Sequence, residues 1–174
     1  HLMDEASGVY NEHLLTQGLK LFKAYRRGQG FIFRKDDPRF QGFQDSFLER
    51  FEEMLSDPEL RMINRNRGSG TRVLIDGLLG KHQPQGFLYE AKSHQAVAAA
   101  VAQSRADWGV AIRSVAEDQG LGFIPLQDEE YDFIIPESRL QKPAVQALIE
   151  LLDEKPIIER LEQMGLIRNP GKDR

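Results

Sequence analysis

Short apolar runs alternate with amphipathic helical segments along most of this chain, and that alternation limits the folds it can adopt. The predicted strands are residues 19–26, 29–34, 60–64, 86–90, 107–112, 122–125 and 131–136. The predicted helices are residues 9–18, 41–56, 73–79, 94–104, 113–119 and 142–153, with a last helix that begins near Pro156. Strands that alternate with helices indicate an α/β fold with a doubly wound, mostly parallel sheet.

The helix predicted over residues 41–56 carries an aromatic and aliphatic stripe at helical spacing. The stripe consists of Phe43, Phe47, Leu48, Phe51 and Leu55. Such spacing places these side chains on one helix face. We interpret that face as part of the core rather than as a cofactor site.

Composition excludes several classes of protein. The 174 residues carry a formal net charge of −4, which disfavours a nucleic-acid binder that relies on an overall positive field. The absence of cysteine excludes disulfides, thiolate metal sites and cysteine nucleophiles. No apolar run approaches the roughly 18 residues of a membrane span, and no signal peptide is visible. We therefore expect a cytoplasmic protein without membrane or direct nucleic-acid contact.

Positive charge is concentrated in the middle third of the chain. Residues 61–113 contain 8 basic and 3 acidic residues, whereas the segments on either side are net acidic. A local basic patch in an acidic protein attracts a small anion more readily than it coats a long polyanion. A mixed, solvated surface is the alternative explanation of the same charges.

A glycine-rich loop between a predicted strand and a predicted helix is the most informative segment. It contains Arg67, Gly68, Ser69, Gly70, Thr71 and Arg72. A helix N-terminus offers unpaired N–H groups and partial positive charge, and glycine lets the backbone approach an anion. The loop is neither a Walker A motif nor a dinucleotide fingerprint. The alternatives are therefore an oxyanion site and an ordinary helix start capped by Ser69 or Thr71.

Other candidate residues are weaker. Ser93 and His94 form a second strand–helix junction that could face the same cleft, and Tyr131 could offer its hydroxyl to an anion. Taken alone, Ser93 is an N-cap, and Tyr131 and Trp108 are packing residues. No histidine pair has metal-ligand spacing, and no nucleophile has a base and an orienting group nearby in sequence. We expect a protein that is not an enzyme, has no metal site and needs no cofactor.

Several motifs together resemble the PBP-like domain family, relatives of the type II periplasmic binding proteins that are close to molybdate-binding proteins. They are residues 64–72, Ser93-His94 with 96–102, 105–112, 120–126, 130–136, Arg27-Gly28-Gln29-Gly30, residues 1–4 and Tyr10-Asn11. The resemblance implies a domain that binds or senses a small ligand, with molybdate, tungstate or a molybdenum-cofactor-related species as candidates. It places the ligand cleft at the start of the helices after Ser69 and Ser93, near Tyr131.

The resemblance also implies that the chain is a fragment of a larger protein. Family domains usually begin with several β–α units before the segment that matches His1, and they end in a different turn from residues 164–167. We expect one lobe at residues 36–130, with residues 1–35 and 131–174 forming a hinge and part of the other lobe. Missing strands would expose a sheet edge and favour a homodimer. A DNA-binding domain could lie upstream.

Three functions are therefore compatible with the sequence. The first is a non-catalytic domain that binds a small anion as part of a transcriptional regulator or a molybdopterin biosynthesis protein. The second is an interaction or oligomerisation domain with a vestigial cleft. The third is an accessory domain of an enzyme of molybdenum-cofactor biosynthesis. The order rests on fold-level analogy, since no residue pattern names the ligand.

Overall fold

The computed structural model describes residues 18–168, which form an α/β fold in two units. The strands are β1 Leu19–Phe33, β2 Met62–Arg65, β3 Glu90–Ala91, β4 Trp108–Ile112, β5 Gly122–Pro136 and β6 Ile167–Arg168. The helices are α1 Phe47–Leu55, α2 Gly70–Leu79, α3 His94–Ala102, α4 Arg113–Asp118, α5 Pro143–Leu152 and α6 Lys155–Gln163. The helix predicted at residues 9–18 falls almost wholly outside the described residues.

The first unit comprises the described residues up to Arg27 and from Asp128 onward, and the second comprises residues 28–127. In the second unit the strand order is β3-β2-β4-β1-β5. β2 runs parallel to both β3 and β4, and β1 runs antiparallel to β4, with Gln29 opposite Ile112. The predicted α/β architecture with a parallel group of strands is confirmed.

The two faces of the sheet in residues 28–127 carry separate apolar cores. One core contains Phe31 and Trp108, whose rings stack with centroids 5.1 Å apart, together with side chains of α1 and α2. The other contains Ile32 and Ala111 with side chains of α3 and α4. Because alternate strand residues face opposite sides, α2 and α3 therefore cover opposite faces of the sheet.

The aromatic stripe around α1 is core, with one exception. Phe43, Phe47, Phe51 and Leu55 are buried. Leu48, which the spacing predicted to lie on the same face, is 80% exposed. The helix begins only at Phe47, so Phe43 reaches the core from the preceding turn rather than from a helix that also positions Leu48.

Two predicted strand patterns needed correction. Residues 19–33 and 122–136 each form one continuous strand, although two short strands were predicted in each range. The strand predicted at 86–90 is mostly a turn, and β3 begins at Glu90. Gly86 has φ +88°, and its carbonyl accepts the N–H of Tyr89 at 2.8 Å, which closes a turn where the sequence reads as extended.

In the first unit, β1 pairs with β6 through Tyr25 opposite Arg168. Arg168 connects β1 with the end of α5. Its guanidinium donates to the carbonyl oxygens of Ala24 and Leu152 and to the carboxylate of Asp153. In the helix pair α5 and α6, Leu152 is the one buried residue. Across residues 18–168, no helix combines the length and apolarity that a membrane crossing requires.

Candidate functional site

The topology of residues 28–127 defines where a ligand would bind. β2 leads through α2 to β3 on one side, and β3 leads through α3 to β4 on the other side of β2. The carboxyl ends of β2 and β4 therefore form a topological switch point, which is where open α/β sheets bind ligands. The glycine-rich loop follows β2 directly and lies at this edge.

The loop after β2 is shaped by its own hydrogen bonds. Gly68 has φ +83°, a conformation that favours glycine and that turns the chain into α2. Ser69 is the N-cap: its Oγ accepts the N–H of Arg72 at 3.2 Å and donates to the carbonyl oxygen of Asn66 at 3.0 Å. Within residues 18–168 no acceptor is found for the N–H groups of Gly70 and Thr71. Those two groups are available to an anion.

The two arginines of this loop have different surroundings. Arg72 is buried, donating to Asp76 at 2.7 Å and to Glu90 at 2.8 Å, and its guanidinium lies 4.9 Å from the Phe87 ring centroid. Burial opposes its charge, but the hydrogen bonds to Asp76 and Glu90 outweigh that effect, so the pKa of Arg72 is raised. The charge of Arg72 is therefore largely compensated inside the domain.

Arg67 is the accessible cation of the pair. Its side chain is 81% exposed and lies 3.8 Å from the carboxylate of Glu90. Exposed ion pairs of this kind contribute little to stability and rearrange easily. Arg67 can therefore turn toward a bound anion at small cost, whereas Arg72 cannot.

The second helix start lies beside the first. β3 pairs with β2 in parallel register, with Arg65 opposite Ala91, so α3 begins at the same sheet edge as α2 but on the other face. Ser93 caps α3, and its Oγ accepts the N–H of Ala96 at 3.1 Å. The predicted cap at Ser93 is confirmed, and His94 is the first residue of α3.

Arg65 links the two helix starts, and it was not among the predicted residues. Its Nη1 lies 3.2 Å from both ring nitrogens of His94, and its Nε donates to the carbonyl oxygen of Ala91 at 3.2 Å. Its own carbonyl oxygen accepts from Arg72 at 3.1 Å. Arg65 and His94 are both buried. Strand alternation across Asn64, Arg65 and Asn66 is the sequence signal that could have placed Arg65 on the α3 face.

Tyr131 belongs to the other unit. The eight remaining predicted residues lie in residues 28–127, whereas Tyr131 stacks on Tyr25 at 5.3 Å between ring centroids and hydrogen-bonds to the guanidinium of Arg27. Burial and the neighbouring Glu129 raise the pKa of the Tyr131 phenol, which the charge of Arg27 partly offsets. Tyr131 thus contacts Tyr25 and Arg27, which belong to its own unit.

No metal site emerges from the described part of the chain. Residues 18–168 contain no cluster of three or more histidine, aspartate or glutamate side chains that could hold an ion. The chemistry at the switch point is instead that of backbone N–H groups, the two buried arginines Arg65 and Arg72, and the exposed Arg67. Such groups bind negative charge.

Comparison with known proteins identifies the family and its fold. Residues 1–153 match the PBP-like family model, described as a PBP superfamily domain. The uncharacterised protein YvgK of Bacillus subtilis is 32% identical over 176 residues, which cover 95% of this chain and 54% of YvgK. The chain thus spans about half the length of that relative.

Solved structures with low sequence identity share the fold. An ABC-type phosphate transport receptor from Vibrio cholerae superposes with a TM-score of 0.59 at 14% identity, over 91% of this chain and 76% of the receptor. The ligand-binding core of GluR0 in complex with L-glutamate gives a TM-score of 0.51 at 16% identity, over 90% of this chain and 68% of that structure. These neighbours are binding proteins for small ligands.

These comparisons correct one expectation and establish the family. A cytoplasmic location was expected, but the structural neighbours include a phosphate transport receptor and a protein described as periplasmic, so that expectation is wrong. The family resemblance is confirmed by the family model and by the Bacillus subtilis relative. The chain is a member of the PBP-like family within the PBP superfamily.

Proposed function

We propose that this domain binds a small anion at the switch point of residues 28–127 and acts as a binding module rather than as a catalyst. The observation that carries the proposal is the pair of capped helix starts, after Ser69 and Ser93, at the carboxyl ends of adjacent parallel strands. Each start directs N–H groups and partial positive charge toward the sheet edge. The ligands named for the solved neighbours, phosphate and glutamate, are anions as well.

Two arginines supplement the backbone groups in this proposal. Arg65 holds the starts of α2 and α3 together and keeps positive charge at the sheet edge. Arg67 is accessible and can contact the anion directly. Arg72, although it is part of the loop, acts through its bonds to Asp76 and Glu90, which fix the first turn of α2. The proposal covers tetrahedral oxyanions, among them the molybdate and tungstate suggested by the resemblance, and carboxylates.

Amide chemical shifts test where the anion binds. Phosphate, sulfate, molybdate, tungstate and L-glutamate are titrated into the isotope-labelled chain. We expect the largest shifts at the N–H groups of Gly70, Thr71 and Gln95, because these begin α2 and α3. Shifts confined to other parts of the chain, or no saturable shift with any of the five anions, would refute the proposal.

A charge reversal at Arg67 gives a second test. Arg67→Glu should weaken binding of whichever anion binds by about tenfold at low salt, because it replaces attraction by repulsion near the ligand. Arg105→Glu is the matched control, because Arg105 is also exposed in residues 28–127 but precedes β4, at the opposite edge of the sheet. Equal affinities in the two variants would remove Arg67 from the site.

A further inference from the structure

The turn between α2 and β3 presents two large apolar side chains to solvent. Leu88 is 78% exposed and Tyr89 is 61% exposed, and the two are neighbours in the chain. Single exposed apolar side chains are common on protein surfaces, whereas contiguous apolar patches mark sites of contact with other molecules. At this exposure neither side chain contributes much to the core of the domain, so the pair calls for another explanation.

Hydrogen bonds hold this turn against β2. The N–H of Met62 donates to the carbonyl oxygen of Gln85 at 2.8 Å, and the N–H of Asn64 donates to that of Tyr89 at 2.8 Å. The side-chain amide of Asn64, which is fully buried, donates to the carbonyl oxygen of Phe87 at 3.0 Å. The exposed pair therefore stands on a fixed backbone. A surface that is already ordered loses little entropy when a partner binds to it.

Two grooves border the turn, and both are lined by Gln83 and Phe87. The smaller, of about 320 Å³, is lined by residues 83–89. The larger, of about 550 Å³, is lined by residues from both ends of α2, from Arg67 to Lys81. Because a ten-residue helix rises about 15 Å, the larger groove is elongated. Grooves of this kind accept the side chains of an extended segment, whereas a flat membrane would leave them unfilled.

Positive charge lies beside the apolar pair. Arg61 packs against the turn, since a Cβ atom at Gly86 would lie 2.9 Å from its Cγ, and Lys81 lines the larger groove. Both cations are exposed, and neither side chain forms an ion pair with another of residues 18–168. The nearby carboxylates of Asp76 and Glu90 are already hydrogen-bonded within the domain. The surface is therefore complementary to a partner that carries carboxylates.

We propose that this turn surface, which comprises residues 83–89 with Arg61 and Lys81, docks an extended acidic segment of a partner protein. Apolar side chains of the segment pack on Leu88 and Tyr89, and its carboxylates lie near the two cations. The turn is hydrogen-bonded to the first residues of β2, whereas the proposed anion site follows the last residue of that strand. The inference therefore does not depend on the anion site.

Peptide selection tests whether the turn surface docks such a segment. Random peptides displayed on phage are selected against the immobilised chain, and the Leu88→Ser/Tyr89→Ser variant is used to remove peptides that bind elsewhere. We expect the remaining peptides to be enriched in aspartate and glutamate and to carry at least one large apolar residue. No enrichment over the variant, or enrichment of neutral or basic peptides, would overturn the inference.

Single substitutions then test which side chains a selected peptide contacts. In calorimetric titrations with the synthesised peptide, Leu88→Ser should weaken binding at least about tenfold, because an apolar contact is lost. Lys81→Glu should weaken it about tenfold at low salt and less at high salt. Leu48→Ser is the matched control, because Leu48 is 80% exposed in the same unit but lies on α1. Unchanged affinity in Leu88→Ser, or an equal loss in Leu48→Ser, would contradict the proposal.

The same variants separate docking from folding and from other occupants. Thermal unfolding of Leu88→Ser should match that of the wild type, because the side chain is mostly exposed. Cosedimentation with vesicles of phosphatidylserine and phosphatidylcholine, lost in Leu88→Ser, would assign the turn surface to a membrane instead. Self-association of the chain in analytical ultracentrifugation, lost in the same variant, would assign it to a second copy. Either result would overturn the inference.

Discussion

Single residues set the shape of the helix starts. Ser69 and Ser93 each accept an N–H group of the first helical turn, whereas Ser46, which precedes α1, makes no side-chain capping bond. The three serines precede their helices in equivalent positions, but only Ser69 and Ser93 contribute a capping bond to the stability of the helix. An N-cap bond typically stabilises a protein by about 1 kcal/mol.

We expect Ser69→Ala to lower the free energy of unfolding by about 0.5–1 kcal/mol. The N–H of Arg72 loses the Ser69 hydroxyl as an acceptor but keeps the carbonyl oxygen of Ser69, which lies 3.0 Å away. Ser46→Ala should change it by less than about 0.5 kcal/mol, since no capping bond is lost. Urea unfolding followed by the fluorescence of Trp108 measures both, because Trp108 is the only tryptophan and is fully buried in residues 28–127. Equal losses in the two variants would show that the Ser69 bond is not formed.

Part of the site could be derived from single residues, and part could not. Ser69 and Ser93 follow from local rules, since a serine before a helical pattern is a cap wherever the chain folds. The contacts of Arg65 and Glu90 could not be identified in this way, because they depend on which strands are neighbours and in which register. The compensation of Arg72 was missed for the same reason, since Glu90 is 18 residues away.

At the scale of elements, β1 and β5 show where sequence patterns fail. Each was predicted as two strands because polar residues interrupt the apolar alternation. The structure continues both strands, and the interrupting residues pair with one another: Arg27 lies 2.9 Å from Glu129, and Arg26 lies 3.9 Å from Asp128. The interruption is thus a cross-strand charge ladder, which becomes recognisable only when the two strands are placed side by side.

Close packing of β1 against β5 leaves no room for a side chain at Gly30. A Cβ atom at Gly30 would lie 2.4 Å from the carbonyl oxygen of Ile124 and 2.4 Å from the ring of Phe123. We expect Gly30→Ala to destabilise the domain by about 1–3 kcal/mol through overpacking. Gly77→Ala, in open space within α2, should instead stabilise it by up to about 1 kcal/mol. Thermal unfolding of both variants measures the contrast, and a stable Gly30→Ala protein would contradict the tight approach.

At the scale of the whole molecule, ionised carboxylates make the stability of the fold depend on pH. In residues 28–127, Asp37 and Asp107 share the guanidinium groups of Arg34 and Arg39. The hydrogen bond from Arg39 lowers the pKa of Asp37. Burial works against ionisation of Asp107, but the N–H of Arg61 and the arginines outweigh it and lower its pKa as well. These carboxylates stabilise the folded state when they are ionised.

Stability should therefore fall as the pH drops. A carboxylate whose pKa is lowered by folding contributes fully above its unfolded pKa near 4 and loses that contribution as the pH falls toward its folded value. We expect Asp107→Asn to be less stable at pH 7, on the order of 1–3 kcal/mol, and to lose less than the wild type between pH 6 and pH 3. Urea unfolding of both at several pH values, with the exposed Asp45→Asn as control, measures the difference. Parallel pH curves would show that Asp107 is not involved.

The order of the units along the chain has a consequence for how the protein is made. Residues 28–127 are inserted between the two stretches that form the other unit, and β1 and β5 pair where the insertion begins and ends. A ribosome therefore completes the inserted unit before it has synthesised Asp128 and the residues that pair with Lys23 and Arg27. We expect the inserted unit to fold first during translation. The part of β1 that ends at Arg27 then has no partner strand until the residues from Asp128 onward have been synthesised.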